Sequence, residues 1–373
     1  MSMMHSSAVP DQPYFAGLDV HQLRIVVAVV DKQGVLVREA SVRTAEPTRL
    51  VETLAPYHTA AHPLAVVVET CPFWPWLYDL LVPGGMRFHL AHAQELEAIA
   101  KAAHKRDERD APLLARMLAG GLIPPAYPKP AAQREQACLV RHRAALVRHR
   151  TMLVNRVHSQ LHAVGLALPR EQLLRRATRT WLRETAGPVL RPEQRRLVAS
   201  HWYLIRRLTR MVRRLDVVIA EAAAADPAAV LLATIPGIGA YRGLLLATEL
   251  LPMTRYASEG KFVGYAGLAP ITRCSAARVH RGPLPNAANR WVRGALISSI
   301  PTHLRCAPAS PLSQYYARQK ARLGWPIARV ATARQLARVI YRMLRTGEAW
   351  RPTPGATPGP ASASAASASA AVA

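Results

Sequence analysis

Residues 14–44 read YFAGLDVHQLRIVVAVVDKQGVLVREASVRT, and how this stretch is read decides the fold. It holds three short runs, YFAGLDV, RIVVAVVD and VLVREASVRT, rich in β-branched residues and close together. Such runs favour extended strands. Asp31 to Gly34 supplies turn residues between the second and third run, as a hairpin requires. Working outward, a helical span near 46–57 leads to LAVVVE at 64–69. An unbroken apolar run of that length suits a buried central strand. A further helix near 73–82 precedes FHLAH. Three adjacent strands, then strands alternating with helices, predict a mixed α/β sheet rather than a purely parallel one.

From about residue 93 onward the pattern is helical. The motif LVRHR occurs at 139–143 and again at 146–150, setting Leu139, Leu146 and Leu153 seven residues apart. A seven-residue leucine period predicts a helix–helix seam. The intervening Arg141, Arg143, Arg148 and Arg150 make the other faces basic; they read either as solvated flanks of a coiled coil or as a surface turned to phosphate. Residues 170–222 hold more basic helix, including WYLIRRLTRMVRRLD, and a third region opens at LLATIPGIG and runs in helical segments to about 348. The final stretch, PTPGATPGPASASAASASAAVA, is low-complexity and reads as disordered. The expected organisation is an α/β domain over 12–130, a basic helical or coiled-coil region over 131–222, a helical domain over 223–350 and a tail over 351–373.

The chain carries 49 Lys and Arg against 23 Asp and Glu, a formal charge of +26. That imbalance points to a polyanionic partner, nucleic acid first. No apolar run reaches the length that spans a bilayer, and the opening MSMMHSSAVPDQ lacks the basic start and apolar core of a signal peptide. The four cysteines are scattered without zinc-like spacing. A cytoplasmic protein with reduced thiols is expected.

Three constellations carry chemistry. Asp19 sits inside GLDVH among residues that favour burial, where a carboxylate is costly without a partner or metal. Glu69 ends the apolar strand run, and Asp107 and Asp110 lie about one helical turn apart within KRDERDAPLLARML. One reading of the last pair is a solvated helix face of acid–base pairs. The sharper reading has Asp19, Glu69, Asp107 and Asp110 converging on divalent cations, which favour oxygen ligands. Second, Gly237 and Gly239 of IPGIG suit a tight helix–hairpin–helix turn whose N–H groups meet a phosphate, or a plain packing element. Third, Ser275 lies in an expected loop with Arg273, Arg278, His280 and Arg281, followed by a helix carrying Asn289. Cations around a hydroxyl can hold a phosphate beside it and assist alkoxide formation.

Taken in order, GLDVHQ, VVVET, AHKRDERDAPLLARML, NRVHSQLHAVGLALP, IPGIG, YAGLAP and the spacing from Ser275 to Asn289 give the chain a resemblance to the IS-one-ten family of insertion-sequence transposases over about residues 14–350. The resemblance implies an RNase H-like (RuvC-like) amino-terminal domain whose DEDD acids are Asp19, Glu69, Asp107 and Asp110, holding Mg²⁺ or Mn²⁺. It also implies a helical transposase domain whose nucleophile is Ser275, forming a covalent link to DNA. The partners it implies are donor and target DNA, a guide (bridge) RNA and further copies of the chain, as homodimers that assemble into tetramers. The sequence departs from the family pattern at Ser275-Ala276 and Ala288-Asn289, where the family usually has glycine after the serine and before the asparagine. The alternatives are a RuvC-like, metal-dependent nuclease or resolvase and an inactive nucleic-acid-binding relative.

Overall fold

The computed structural model describes residues 14–93, 95–96, 110–168, 173, 175, 178–275, 278–285 and 288–351. The chain divides into two compact units, Met1–Ala132 and Gln133–Ala373.

The first unit is built on a six-stranded mixed sheet. Strands β1 (Tyr14–Val20), β2 (Arg24–Asp31) and β3 (Leu36–Arg43) follow the three β-branched runs almost residue for residue. Then come helix α1 (Pro47–Leu54), β4 (Ala65–Glu69), helix α2 (Trp74–Leu81), β5 (Arg87–Ala91), helix α3 (Asp110–Ala119) and the short β6 (Pro125–Ala126). Spatial order is β3-β2-β1-β4-β5-β6. The first three strands form an antiparallel meander, whereas β4 lies parallel to β1 and β5 parallel to β4.

Strand alternation sends successive side chains to opposite faces. Ala16, Leu18, Val66 and Val68 pack with Leu50 and Leu54 of α1 and Leu77 and Leu81 of α2. Phe15, Ala65 and Val67 instead pack with Leu114, Ala115 and Leu118 of α3. The sheet is therefore covered on both sides, which explains why β4 is apolar up to its last residue, Glu69.

The second unit is helical. Its long helices α4 (Ala131–His162, which begins just before the boundary) and α5 (Pro192–Ala225) pack antiparallel. Val140 near the start of α4 shares a core with Ile219 and Ala223 of α5; Val154, Val157 and Leu161 near its end share one with Val198 and Ile205. The predicted leucine seam is filled within the chain: Leu146 is buried, and Leu139 and Leu153 pack against these two cores.

After α5 come α6 (Pro227–Ala233), α7 (Ala240–Leu250), α8 (Glu259–Tyr265), α9 (Arg290–Cys306), α10 (Pro311–Leu323) and α11 (Trp325–Thr346). Several starts are fixed by short polar caps, the strongest class of helix N-terminus. Asp226 accepts from Ala228 and Ala229, and Asn289 accepts from Trp291 and Val292. Between α8 and α9 the chain was expected to run as a loop. It forms instead an antiparallel hairpin, β7 (Thr272–Ser275) and β8 (Arg278–Arg281). Its strands are four residues each and mostly polar, too short for an alternation signal to stand out.

Candidate functional site

Leu18 is paired in register with Val68 across the parallel β1–β4 ladder. The next residues along, Asp19 and Glu69, stand side by side at the carboxyl ends of the two strands. Alternation directs both to the face that α3 covers, because Phe15, Ala65 and Val67 of the same parity pack on that helix. The carboxyl edge of parallel strands, where the sheet changes direction, is the usual position for a site in an open α/β sheet.

Helix α3 brings the third acid. Its backbone lies directly on β1 at Gly17: a Cβ there would stand 2.2 Å from the Ala111 carbonyl oxygen and 2.6 Å from the Ala115 nitrogen. Only glycine permits that approach. Arg116 further secures the helix by donating to the Gly34 carbonyl in the β2–β3 turn at 3.1 Å. With α3 held in this way, its first residue, Asp110, and Asp19 line one open cavity of about 430 Å³, together with His21, Arg24, Glu39 and Ser41. The Asp19 carboxylate accepts from His21 Nε2 at 2.9 Å and its side chain is about a quarter exposed (27%). Asp107 lies outside the described residues. Among the described residues no group of three or more His, Cys, Asp or Glu is already gathered as a metal cage. The donor set nonetheless fits a hard divalent cation, since it consists of carboxylate oxygens on adjoining elements beside an open, polar cavity. Sequence reasoning passed over His21, Arg24 and Glu39; only their approach in space marks them.

In the second unit, the β7–β8 register sets Ser275 opposite Arg278, Arg273 opposite His280 and Thr272 opposite Arg281. The five residues singled out in this stretch, Ser275, Arg273, Arg278, His280 and Arg281, therefore belong to one hairpin. Below it, Ile271 and Pro283 continue the pairing, the Asn289 N–H donates to the Tyr265 carbonyl, and Arg293 donates to the Pro285 carbonyl at 2.8 Å.

Beneath the hairpin root lies a polar cluster that sequence reasoning did not name. Glu249 of α7 is fully buried. Its carboxylate accepts from Arg141 at 2.6 Å and from the Asn289 amide at 2.9 Å, and that amide also donates to the Tyr265 hydroxyl at 3.0 Å. A single acid inside the apolar run LLLATELL was the available signal. Asn289, expected at nucleic acid, thus caps α9 and satisfies Glu249.

The remaining predicted basic residues are partly occupied. Arg143 pairs with Asp216 at 2.9 Å and lies over the Tyr241 ring at 4.3 Å. Arg148 lies over Trp291 at 5.5 Å. Burial, with repulsion from Arg143, holds the Arg150 guanidinium below its usual pKa. Gly237 has φ +94°, and a Cβ there would stand 2.7 Å from the His303 nitrogen, so the glycine lets the IPGIG turn rest on α9. Its carbonyl accepts from Arg242 at 2.8 Å. Gly239 precedes α7 with open space around it.

These two arrangements, an acid-edged α/β sheet and a helical unit bearing a serine–arginine hairpin, fall within two matched family models. Residues 16–165 match the DEDD transposase model of IS110 elements, and residues 229–317 match the transposase model of the IS116/IS110/IS902 family. Both models are described as transposase models, and the chain belongs to the IS110 (IS-one-ten) family. Among similar proteins, one of Streptomyces coelicolor named as an uncharacterised protein of insertion element IS110 is 32% identical over 36% of this chain and 33% of its own. A Sinorhizobium fredii protein provisionally named a transposase is 26% identical over 46% of each chain. A Streptomyces clavuligerus protein of insertion element IS116 is 27% identical over 46% of this chain and 44% of its own. The matched segments span less than half the length of these relatives. Among the described residues no helix is long and apolar enough to cross a membrane.

Proposed function

We propose that this chain is a DNA transposase and recombinase that cuts and rejoins strands through a covalent serine–DNA intermediate, guided by a bridge RNA. The observation that carries the reading is the shared carboxyl edge of β1 and β4, with Asp19 and Glu69 adjacent and Asp110 set beside Asp19 by α3. The strand order and directions of the sheet support an RNase H-like (RuvC-like) assignment for this domain. Asp19, Glu69 and Asp110, with Asp107, would hold Mg²⁺ or Mn²⁺; when bound, the ion neutralises charge developing on the phosphodiester.

The Ser275 hydroxyl attacks phosphorus as the bond to the leaving deoxyribose oxygen breaks, and a hydroxyl of the second DNA reverses the step. Arg273, Arg278 and Arg281 on the same hairpin hold the phosphate. Sequence choice rests with base pairing to the RNA, so the protein needs backbone contacts above all, in keeping with its +26 charge. Its place of action is the cytoplasm, with the DNA.

The same reading has the chain acting as a homodimer that assembles into tetramers on donor and target DNA. What supports it is an unfilled seam on α5: Leu197, Leu204, Met211 and Val218, at heptad spacing, are each 45–47% exposed.

The test is to supply element-flanking DNA, its transcript and Mg²⁺ to wild type, Ser275→Ala and Asp19→Asn, and to separate products on denaturing gels. An adduct lost in both variants supports the reading. Cleavage that persists in Ser275→Ala without an adduct replaces it with a metal-dependent nuclease. Salt-sensitive binding with no chemistry in wild type, on DNA that a sister element cuts, identifies an inactive relative.

A further inference from the structure

From residue 260 to 347 the chain has no Asp or Glu, while Lys and Arg recur throughout. Within that stretch the α10–α11 hairpin ends in RLGWPI, residues 322–327, where Gly324 takes φ +78° to turn the chain. Helix tips normally keep large apolar side chains inward. Here Leu323 is 39%, Trp325 60% and Ile327 56% exposed. Arg318, Lys320 and Arg322 on the approach are also exposed. An indole at the centre of an apolar tip, flanked by cations and free of nearby acids in sequence, is suited to a ligand with both a flat apolar face and a negative backbone. A second copy of the chain would bring its own positive charge to this tip; a polyanion does not.

We infer that the tip at Trp325 is a stacking platform for an unpaired nucleobase, with Arg318, Lys320 and Arg322 taking the adjoining phosphates. The proposal relies on the preceding section only in taking nucleic acid as the partner; it adds where a single-stranded segment is held and by what contact. Base–aromatic stacking is sequence-tolerant because every base offers a π-face. That suits a protein that leaves sequence choice to base pairing.

The test uses the purified full chain, an oligothymidylate about twenty nucleotides long and a duplex of equal length. Trp325→Ala is expected to weaken oligothymidylate binding about 5- to 150-fold, the range for one stacked base. Trp325→Tyr should restore it to within about threefold, because the tyrosine ring also stacks. The slope of log affinity against log salt should be unchanged, since phosphate contacts set it, and duplex binding should stay within about threefold. Equal loss on both probes, a shallower salt slope or no loss on the single strand would overturn the proposal. So would a Trp325→Ala chain that keeps oligothymidylate binding yet loses self-association or binding to phosphatidylserine vesicles, which would assign the tip to a second copy or to a lipid surface. The binding assay needs neither Mg²⁺ nor strand cleavage, so failure of the strand-transfer chemistry leaves this result readable.

Discussion

The side-chain amide of Asn289 donates to the Glu249 carboxylate across 2.9 Å, tying the first turn of α9 to the last turn of α7. Arg141 completes the charge balance from α4. The serine hairpin ends at Arg281, ahead of Asn289 in the chain, so this cluster sits where the chain returns from the hairpin to the helices.

The two partners of the ion pair differ in exposure: the Glu249 side chain is 1% exposed and that of Arg141 40%. Removing Arg141 takes the paired cation from a buried carboxylate, whereas removing the charge on Glu249 leaves an arginine that can reach water. We predict that Arg141→Ala costs about 3–5 kcal/mol and Glu249→Gln about 1–2 kcal/mol. Urea unfolding of both variants checks the order; equal costs would contradict it.

Gly17→Ala should force β1 and α3 apart, because the added methyl meets backbone rather than a movable side chain. The expected cost is at the upper end of, or above, the roughly 1–3 kcal/mol of overpacking. Asp110 should also shift relative to Asp19. Thermal unfolding reads the first effect and Mg²⁺ titration the second. A variant with normal stability and normal Mg²⁺ binding would show that the approach is not needed.

His303 is fully buried; its Nδ1–H donates to the Pro236 carbonyl at 2.7 Å and its Nε2 lies 2.8 Å from the Ser310 hydroxyl. Burial lowers its pKa below the usual value, opposed by the Pro236 hydrogen bond. A lowered base binds its proton less readily folded than unfolded. Its stabilising contribution is therefore complete above about pH 6.5 and is lost as pH falls through the lower, folded-state value. Thermal midpoints taken from pH 7 down to pH 5 should fall, and fall less steeply in His303→Gln. Parallel slopes would remove His303 as the cause.

Substituting Leu204→Glu and Met211→Glu together should abolish self-association through α5 while leaving the fold intact, because both side chains face solvent. Sedimentation velocity at several concentrations separates the outcomes. An unchanged oligomer would assign the contact to another surface.

The meander and the apolar central strand were legible because β-branched runs and turn residues act locally. The place of Asp19 and Glu69 near strand ends was legible for a related reason: each is an acid that follows an apolar run. What α3 does at Gly17 was not, because a glycine in a strand has several explanations and only the distant helix selects one. Glu249 was visible as an odd acid in an apolar helix, but its partners lie 108 and 40 residues away. Leu139, Leu146 and Leu153 announced a seam correctly; that the seam closes on α5 of the same chain depends on antiparallel packing that no period encodes. The β7–β8 hairpin lacked any apolar alternation to reveal it.

The parallel pairing of β1 with β4 has a consequence for synthesis. Strands β1, β2 and β3 are contiguous and can pair as soon as they leave the ribosome, since short loops close quickly. The ladder to β4 must wait for about forty-five further residues after β1, a separation that raises the entropy of closure. Helix α3 is made later still, with Asp110 as its first residue. The acids at the sheet edge therefore stay apart during early translation and meet only when the last layer docks. An order of assembly is thus written into the topology: a nascent fragment that ends before α3 carries the strands of the site without its cleft.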